Sequence, residues 1–139
     1  MPVATRVLEA SRSLFEGESD FVVARGASGE LGVLPSHAPL LTWLKPGELM
    51  VRRGQEERYF FLESAYLEVL PDRISVLAEG AVPSSQLDSK VAEEQRRLAE
   101  EAVARATGAD DADLASLRRR LEVAEARHQA AERERRRRG

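Results

Sequence analysis

The chain has 139 residues with 21 basic and 24 acidic side chains, a length that suits one domain or one domain with an appendage. It contains no cysteine, which excludes a disulfide scaffold, a thiol nucleophile and a cysteine zinc site. No stretch approaches the roughly 18–20 apolar residues of a membrane span, so we expect no direct membrane insertion. The N-terminal residues lack a signal-peptide pattern, so we expect no secretory leader.

The first 81 or so residues have the pattern of an all-β domain. Runs rich in strand formers occur at 21–24, 47–51, 58–62, 65–70 and 73–77. A polar turn at 53–56 and a Pro71-Asp72 turn predict two hairpins. All four Phe, both Tyr and the one Trp lie in this half, so we expect the main core here. Short strands at this spacing favour a β-sandwich or a small barrel.

Prolines and glycines crowd the segment 29–47 around a short apolar run. Proline fixes φ and removes a hydrogen-bond donor, whereas glycine permits positive φ, so the spacing predicts tight turns between very short strands. His37 lies between two of these prolines. A turn or contact role for this histidine is favoured over a role as a general base.

The pattern becomes helical after Pro83, where Ala, Glu, Arg, Leu and Gln dominate and no further proline occurs. Ser85 is predicted to cap a first helix, with Asp88 three residues on in the place of a capping-box acid. That helix is expected to end near Arg105.

A second helix is predicted beyond Gly108, which suits a helix C-cap position. Asp110 or Asp111 is expected to cap this helix, which ends near Arg136. Apolar residues at helical spacing form one stripe on each helix and predict an antiparallel helical hairpin. The stripes are Leu87, Val91, Leu98 and Ala102 in the first helix, and Leu114, Leu117, Leu121, Ala124, His128 and Ala131 in the second.

Both stripes are narrow and rich in alanine, so their burial contributes only modestly at about 25 cal/mol per Å². Residues 84–113 hold 4 basic and 8 acidic side chains, and residues 114–139 hold 9 basic and 4 acidic ones, so the two helices attract each other. Exposed ion pairs contribute only about 0–1 kcal/mol each. The hairpin is therefore predicted to be marginal, and an extended arm would reach roughly 75 Å.

Recognisable catalytic motifs are missing from the sequence. No P-loop, nucleophile elbow or metal-ligand spacing occurs, so we predict no catalytic residue, no metal ligand and no cofactor. His128 falls on the stripe of the second helix and is expected to be packed or interfacial rather than a pH sensor. The acid clusters near residues 93, 100 and 110 suit solvated helix faces or caps.

Five arginines, at position 133 and at 135–138, make the C-terminus the strongest local charge. Arginine is always charged and binds carboxylates or phosphates in a bidentate manner. Three interpretations stay open, namely a frayed solvated tail, docking onto an acidic protein surface, and binding to nucleic acid or a lipid surface. The last is the least favoured because the rest of the chain is acidic.

Two segments carry a family resemblance. Residues 29–47, GELGVLPSHAPLLTWLKPG, and 61–81, FLESAYLEVLPDRISVLAEGA, closely resemble signature segments of the epsilon subunit of F-type ATP synthases. Residues 87–92 give a weaker match, and with the order of parts the resemblance covers nearly the whole chain. The chain departs from the family pattern at Ser36, Ser64 and Ala65, where glycine is usual or common.

The resemblance implies an α+β protein with an N-terminal β-sandwich followed by a C-terminal antiparallel α-helical hairpin. It implies a non-catalytic rotor subunit of the central stalk that couples proton flow to ATP synthesis. Residues 1–83 would bind the gamma subunit and the membrane rotor ring, peripherally on the cytoplasmic face of the cell membrane or on the stromal face of the chloroplast thylakoid. The implied contact residues are Glu30, Leu31, Gly32 and His37.

The resemblance also implies that residues 84–139 form a regulatory arm that restrains ATP hydrolysis by meeting the catalytic beta and alpha subunits. The candidate contacts are Arg118, Arg119, Arg120, Arg127, Arg133, Arg135 and Arg136. Some family members bind ATP on this arm, and Asp88 is the one candidate ligand here. Val91 stands where those members have arginine, so we expect no ATP binding.

A different class of function is a β-sandwich module that binds nucleic acid through its Arg-rich helical tail. Binding to unrelated DNA or RNA that depends on salt, without affinity for ATP synthase subunits, would favour that alternative.

Overall fold

A computed structural model of the chain describes residues 2–10, 12–26, 29–33, 38–106 and 108–139. His37 and Ser36 lie outside the described residues, so the expectations for them stay untested. Eight strands come first, a short 3₁₀ turn at Ser84–Gln86 follows, and two helices complete the described chain. The strands are β1 (Val3–Glu9), β2 (Arg12–Ser19), β3 (Phe21–Gly26), β4 (Gly29–Val33), β5 (Leu40–Leu44), β6 (Gly47–Arg53), β7 (Glu56–Leu70) and β8 (Arg73–Pro83), and the helices are α1 (Ser89–Ala104) and α2 (Asp111–Arg138).

The eight strands form a β-sandwich and are connected by one continuous set of hydrogen bonds. The order of hydrogen-bonded neighbours is β2-β1-β8-β7-β6-β3-β4, and β5 pairs with β7. The 15-residue strand β7 joins the two layers, because its first half pairs with β6 and its second half pairs with β5. The sequence had predicted two separate strands at 58–62 and 65–70, and this was wrong. The predicted hairpins β6–β7 and β7–β8 are confirmed.

The register between β7 and β8 shifts on either side of Ser64, in the middle of β7. A bulge of this kind bends a strand and increases its twist, which suits the point where β7 passes from one layer to the other. Ser64 and Ala65 replace a common glycine pair here without positive φ, since Ala10 is the only non-glycine residue with positive φ in the described chain. The serine and alanine are therefore accommodated as ordinary extended backbone.

The main core lies between the two layers of the sandwich. Its fully buried side chains include Leu49, Leu62, Leu67, Ile74 and Val76. Residues 60, 62, 65, 67 and 69 of β7 all belong to this core, which follows from the period of two along a strand, corrected for the bulge at Ser64. Phe61 points to the opposite side and belongs to a second, smaller cluster under α2.

Asp88 is the N-cap of α1, and its carboxylate accepts hydrogen bonds from the backbone N–H of Lys90 at 2.9 Å and Val91 at 3.1 Å. The predicted cap Ser85 was wrong because Ser85 lies inside the 3₁₀ turn and Leu87 is extended after it. The helix ends at Ala104, next to the predicted Arg105.

Asp110 caps α2, and its side chain accepts a hydrogen bond from the backbone N–H of Asp113 at 2.8 Å. Asp110 was one of the two residues predicted for this cap. Gly108 precedes it with φ of 85°, a conformation that favours glycine. The helix has 28 residues and continues to Arg138, two residues beyond the predicted end. Its length is about 42 Å at 1.5 Å per residue.

The two helices pack against each other, but the buried faces differ from the predicted stripes. Val91 and Leu98 of α1 are about half exposed, and the buried residue of that helix is Ala92. In α2 the predicted Ala124 and Ala131 are buried, together with Ala126 and Ala130, which had not been predicted. A single stripe could not account for α2, since this helix contacts both α1 and the sandwich.

The predicted attraction between an acidic first helix and a basic second helix is not made by direct ion pairs in the described residues. Ion pairs of α1 stay within that helix, for example Arg96–Glu100 at 2.6 Å. Those of α2 stay within it or reach the sandwich. Arg127 does cross to α1, where it donates a 3.3 Å hydrogen bond to Gln95.

Candidate interaction surfaces

A row of apolar side chains crosses the outer face of the layer that contains β5. The strand register aligns Trp43 of β5 with Tyr66 of β7, Leu77 of β8 and Leu8 of β1. Trp43 is 60% exposed, and its ring lies 3.4 Å from that of Tyr66 between centroids. Leu77 is half exposed, and Leu41, two residues before Trp43, is also exposed. We call Leu8, Trp43, Tyr66 and Leu77 the outer row.

Sequence reasoning missed the outer row because it assigned the aromatic residues of this half to the core. A signal was present, however. In the run Leu40–Leu44 every residue but one is apolar. Successive side chains of a strand point to opposite faces, so the core between the layers can bury only every second residue of this run. Leu40 and Leu44 pack on the core, and Leu41 and Trp43 are left on the outside.

Three of the four predicted contacts with a rotor lie together on β4, which is the last strand of its layer and pairs with β3. Glu30 is exposed, and Leu31 packs against the edge of the main core. A Cβ added at Gly32 would lie 3.1 Å from the Phe21 ring, so glycine lets that ring cover the strand. The fourth, His37, falls outside the described residues.

The predicted arm contacts divide into two groups. Arg118, Arg119 and Arg120 are exposed near the start of α2 and make no ion pair within the described chain. Arg119 and Arg120, together with Arg127, line a cleft of about 1000 Å³ between α1, α2 and the sandwich. These arginines therefore remain accessible while α2 is docked.

The second group is engaged on the chain itself. Arg127 donates to Glu63 on β7 at 2.7 Å, and Arg135 pairs with Glu132 at 2.7 Å within α2. Arg133 lies 4.0 Å from Glu48, whereas Arg136 is exposed.

Arg137, a member of the terminal arginine run, makes the most enclosed contact of the tail. It donates to Glu48 at 2.8 and 3.3 Å and to Glu134 at 2.9 Å. Burial acts to lower the pKa of Arg137, but the hydrogen bonds to the two carboxylates outweigh it and hold the pKa above its ordinary value. Arg137 thus docks the end of α2 on an acidic site of the sandwich, and the helix continues to Arg138, so the tail is not frayed, although Arg135, Arg136 and Arg138 are exposed.

The weak candidate for ATP, Asp88, uses its carboxylate to cap α1. Val91 is exposed beside it and offers no group that could bind phosphate. In the described part of the chain, neither helix is long and apolar enough to cross a membrane.

Comparison with known proteins gives a consistent result. A family model for the beta-sandwich domain of the ATP synthase delta/epsilon chain matches residues 3–84. The ATP synthase epsilon chain of Hydrogenovibrio crunogenus is 45% identical over 120 residues, which cover 86% of this chain and 81% of the relative. That of Alkalilimnicola ehrlichii is 38% identical over 133 residues, which cover 91% and 95%.

Solved structures give the same fold. A chain in the cryo-EM structure of the Euglena gracilis mitochondrial ATP synthase, OSCP/F1/c-ring in rotational state 1, aligns with a TM-score of 0.78 at 21% identity. The alignment covers 93% of this chain and 81% of that one. A chain from the central stalk and c-ring of the Tetrahymena thermophila enzyme aligns with a TM-score of 0.62 at 12% identity, with 93% and 96% covered.

Proposed function

The chain belongs to the family of ATP synthase epsilon chains, which are non-catalytic subunits, and on this premise we propose that it is a rotor subunit of the central stalk. In this role it couples proton flow to ATP synthesis. The observation that carries the proposal is the outer row, since an aligned apolar row with exposed Trp43 and Leu77 and half-buried Leu8 and Tyr66 on a folded sandwich marks a protein interface.

In this proposal residues 1–83 are the docking domain. The outer row provides the apolar surface that the gamma subunit covers. The β4 side of the sandwich, with Glu30, Leu31, Gly32 and His37, meets the rotor ring or gamma. A rigid two-layer sandwich suits this role because it transmits torque between two partners without changing shape.

Residues 84–139 are the regulatory arm. Arg118, Arg119 and Arg120 contact the catalytic beta and alpha subunits, and their exposure in the docked arm supports this role. Arg127, Arg133, Arg135 and Arg136 join these contacts when the arm leaves the sandwich. The arm then restrains ATP hydrolysis, as a two-state element whose states differ by a few kcal/mol.

The chain works peripherally on the cytoplasmic face of the cell membrane, or on the stromal face of a thylakoid in a chloroplast, held there by gamma and the rotor ring. No ATP binding is expected, since Asp88 is engaged as a helix cap and Val91 replaces the arginine. An ATP titration of the purified chain tests this expectation, and tight binding would overturn it.

The proposal is tested by ATP hydrolysis of the assembled enzyme carrying either the full chain or a version that ends at Val82. A third version ending at Arg105 keeps α1 and thereby separates the contribution of α2. Co-purification with gamma is measured for each version, because truncation uncovers Phe61.

We expect truncation to preserve assembly and to raise hydrolysis. If all three versions hydrolyse ATP at the same rate, residues 84–139 do not restrain the enzyme and the regulatory part of the proposal is wrong. If the full chain fails to associate with gamma, the rotor assignment itself falls.

A further inference from the structure

A buried carboxylate lies beneath the end of α2. Glu48 of β6 is on the outer face of the sandwich, and its side chain is 0% exposed because α2 covers it. It accepts a 3.0 Å hydrogen bond from the hydroxyl of Ser84 and two hydrogen bonds from Arg137. A buried carboxylate is costly unless its charge is compensated, so docking of α2 both buries Glu48 and supplies the compensating charge.

The guanidinium of Arg137, which donates to Glu48, also contacts the ring of Tyr59. The guanidinium carbon of Arg137 lies 3.6 Å from the centroid of the Tyr59 ring, so one plane of the guanidinium meets the ring and its edge meets the carboxylate. Only arginine combines a planar cation that stacks with a fork that donates twice to one carboxylate.

A second site that combines a glutamate, an aromatic ring and an arginine of α2 lies beside the first one, on β7. Arg127 donates to Glu63 at 2.7 Å and lies over the Phe61 ring at 5.1 Å. The two sites differ in their carboxylates, since the Glu63 side chain is 42% exposed and that of Glu48 is 0% exposed, whereas Arg127 and Arg137 are similarly exposed at 27% and 28%. Arg127 and Arg137 are about 15 Å apart along the helix, and both reach the outer face of the sandwich, where Glu48 lies opposite Phe61 in the register of β6 and β7.

We propose that these two carboxylate–aromatic clamps hold α2 on the sandwich, and that the terminal clamp, Glu48 with Tyr59 and Arg137, is the latch that must open before the arm is released. The asymmetry follows from burial, because an exposed pair contributes little whereas breaking a buried pair by removal of one partner is strongly unfavourable. The latch itself is a property of the isolated chain. It rests on the proposed function only for the statement that the released arm is the regulatory state.

The test is hydrogen exchange of α2 in the isolated full-length chain, compared between wild type and four variants. In Arg137→Gln the carboxylate loses both hydrogen bonds from the Arg137 guanidinium and keeps only Arg133 at 4.0 Å, and we expect the amides of residues 124–138 to exchange at least about 100-fold faster. Arg137→Lys keeps the charge but loses the fork and the stacking, and an intermediate acceleration is expected. Arg136→Gln, a neighbouring change at an exposed arginine, is the matched control and should exchange within a few-fold of wild type.

The double variant Glu48→Gln with Arg137→Gln separates a latch from a general loss of charge. Both partners become neutral amides, so no uncompensated charge is buried, and protection should return to within about 10-fold of wild type. If the double variant exchanges as fast as Arg137→Gln alone, or if Arg137→Gln exchanges like Arg136→Gln, the latch is refuted.

ATP hydrolysis is also measured for the enzyme assembled with the Arg137→Gln variant. This measurement distinguishes a failure of the latch from a failure of the proposed function. Fast exchange in the isolated chain together with unchanged hydrolysis would support the latch and contradict the regulatory role. Protected exchange refutes the latch whatever the hydrolysis rate is.

Discussion

Phe61 makes the main apolar contact between α2 and the sandwich, and Phe61→Ala should loosen the middle of the helix while leaving the sandwich folded. Its ring is 1% exposed and lies on the outer face of β7, where it packs with Ala126 and Ala130 of α2. Val82, Leu87 and Val123 pack around this cluster and are only partly buried. The main core lies on the other face of the same strand.

The expected magnitude follows from the composition of this cluster. Removal of a buried phenylalanine ring costs about 3–5 kcal/mol, which includes the cavity left behind. Each of the two alanines contributes only one methyl group, or roughly 0.8 kcal/mol. Phe61 thus makes the largest single apolar contribution to this contact, and the mutation also removes the ring under Arg127.

The assay is hydrogen exchange along the chain, combined with a urea unfolding curve of the sandwich. In Phe61→Ala we expect the amides of residues 123–131 to exchange about 100- to 1000-fold faster, while strands β1, β7 and β8 stay protected. Phe60→Ala is the matched control, since Phe60 is the next residue, equally buried, and faces the main core. It should lower the unfolding midpoint of the sandwich instead.

The reasoning would be refuted if both variants lowered the midpoint of the sandwich equally and neither released α2 selectively. That result would mean that sandwich and arm unfold as one cooperative unit, so that the outer cluster is simply a continuation of the core.

Two further substitutions test electrostatic contacts. The pKa of Glu9 is held below 4.5, mainly by the hydrogen bond from the backbone N–H of Ala81 and next by the Arg12 guanidinium. The ionised Glu9 carboxylate therefore stabilises the fold above pH 4.5, and this stabilisation is lost as the pH falls through the folded-state pKa. Glu9→Gln should therefore unfold at lower urea than wild type at pH 7, and the gap should close below pH 4.5; a gap that does not depend on pH would contradict this assignment. In Gly80→Ala the new Cβ would clash with the Glu63 carboxylate and displace it from Arg127. Because that pair is partly exposed, exchange of α2 should accelerate less than about fivefold, and an effect as large as that of Arg137→Gln would contradict the ranking of the two clamps.

Local signals in the sequence were sufficient for the hairpin turns and for the α+β division, and they narrowed the cap of α2 to Asp110 or Asp111. Pro71-Asp72 is a turn by its own backbone preferences, and the loss of proline after Pro83 marks the change to helix. These features depend on neighbouring residues alone, and the structure confirms them.

Strands β1 and β2 had not been predicted, although β1 carries a usable signal. Val3, Thr5 and Val7 are buried and alternate with exposed Ala4 and Arg6, which is the period of two expected for a strand. The polar Thr5 weakens that pattern, and its buried hydroxyl is hydrogen-bonded both to the carbonyl of Val3 at 3.1 Å and with Ser19 of β2 at 2.6 Å. A bond between residues 14 positions apart is not visible in a local window.

The faces of α2 could not be predicted for a related reason. Ala126 and Ala130 are apolar but small, so a helix read alone favours the leucine stripe as its buried face. Alanine is buried here because the opposing residue is the large Phe61, and complementary size across an interface is a property of two distant segments.

The docked arm is marginal for a different reason from the one predicted from its thin stripes. Its buried apolar contact is one aromatic ring against two methyl groups, with Val82, Leu87 and Val123 only partly buried around them. Its strongest polar contact desolvates Glu48, whose charge Arg137 then compensates. Both contacts lie in the second half of α2, whereas Arg118, Arg119 and Arg120 near its start are exposed. The helix can therefore present cations to another subunit while it is still docked, and the free energy of binding to that subunit can offset the free energy needed to open the latch.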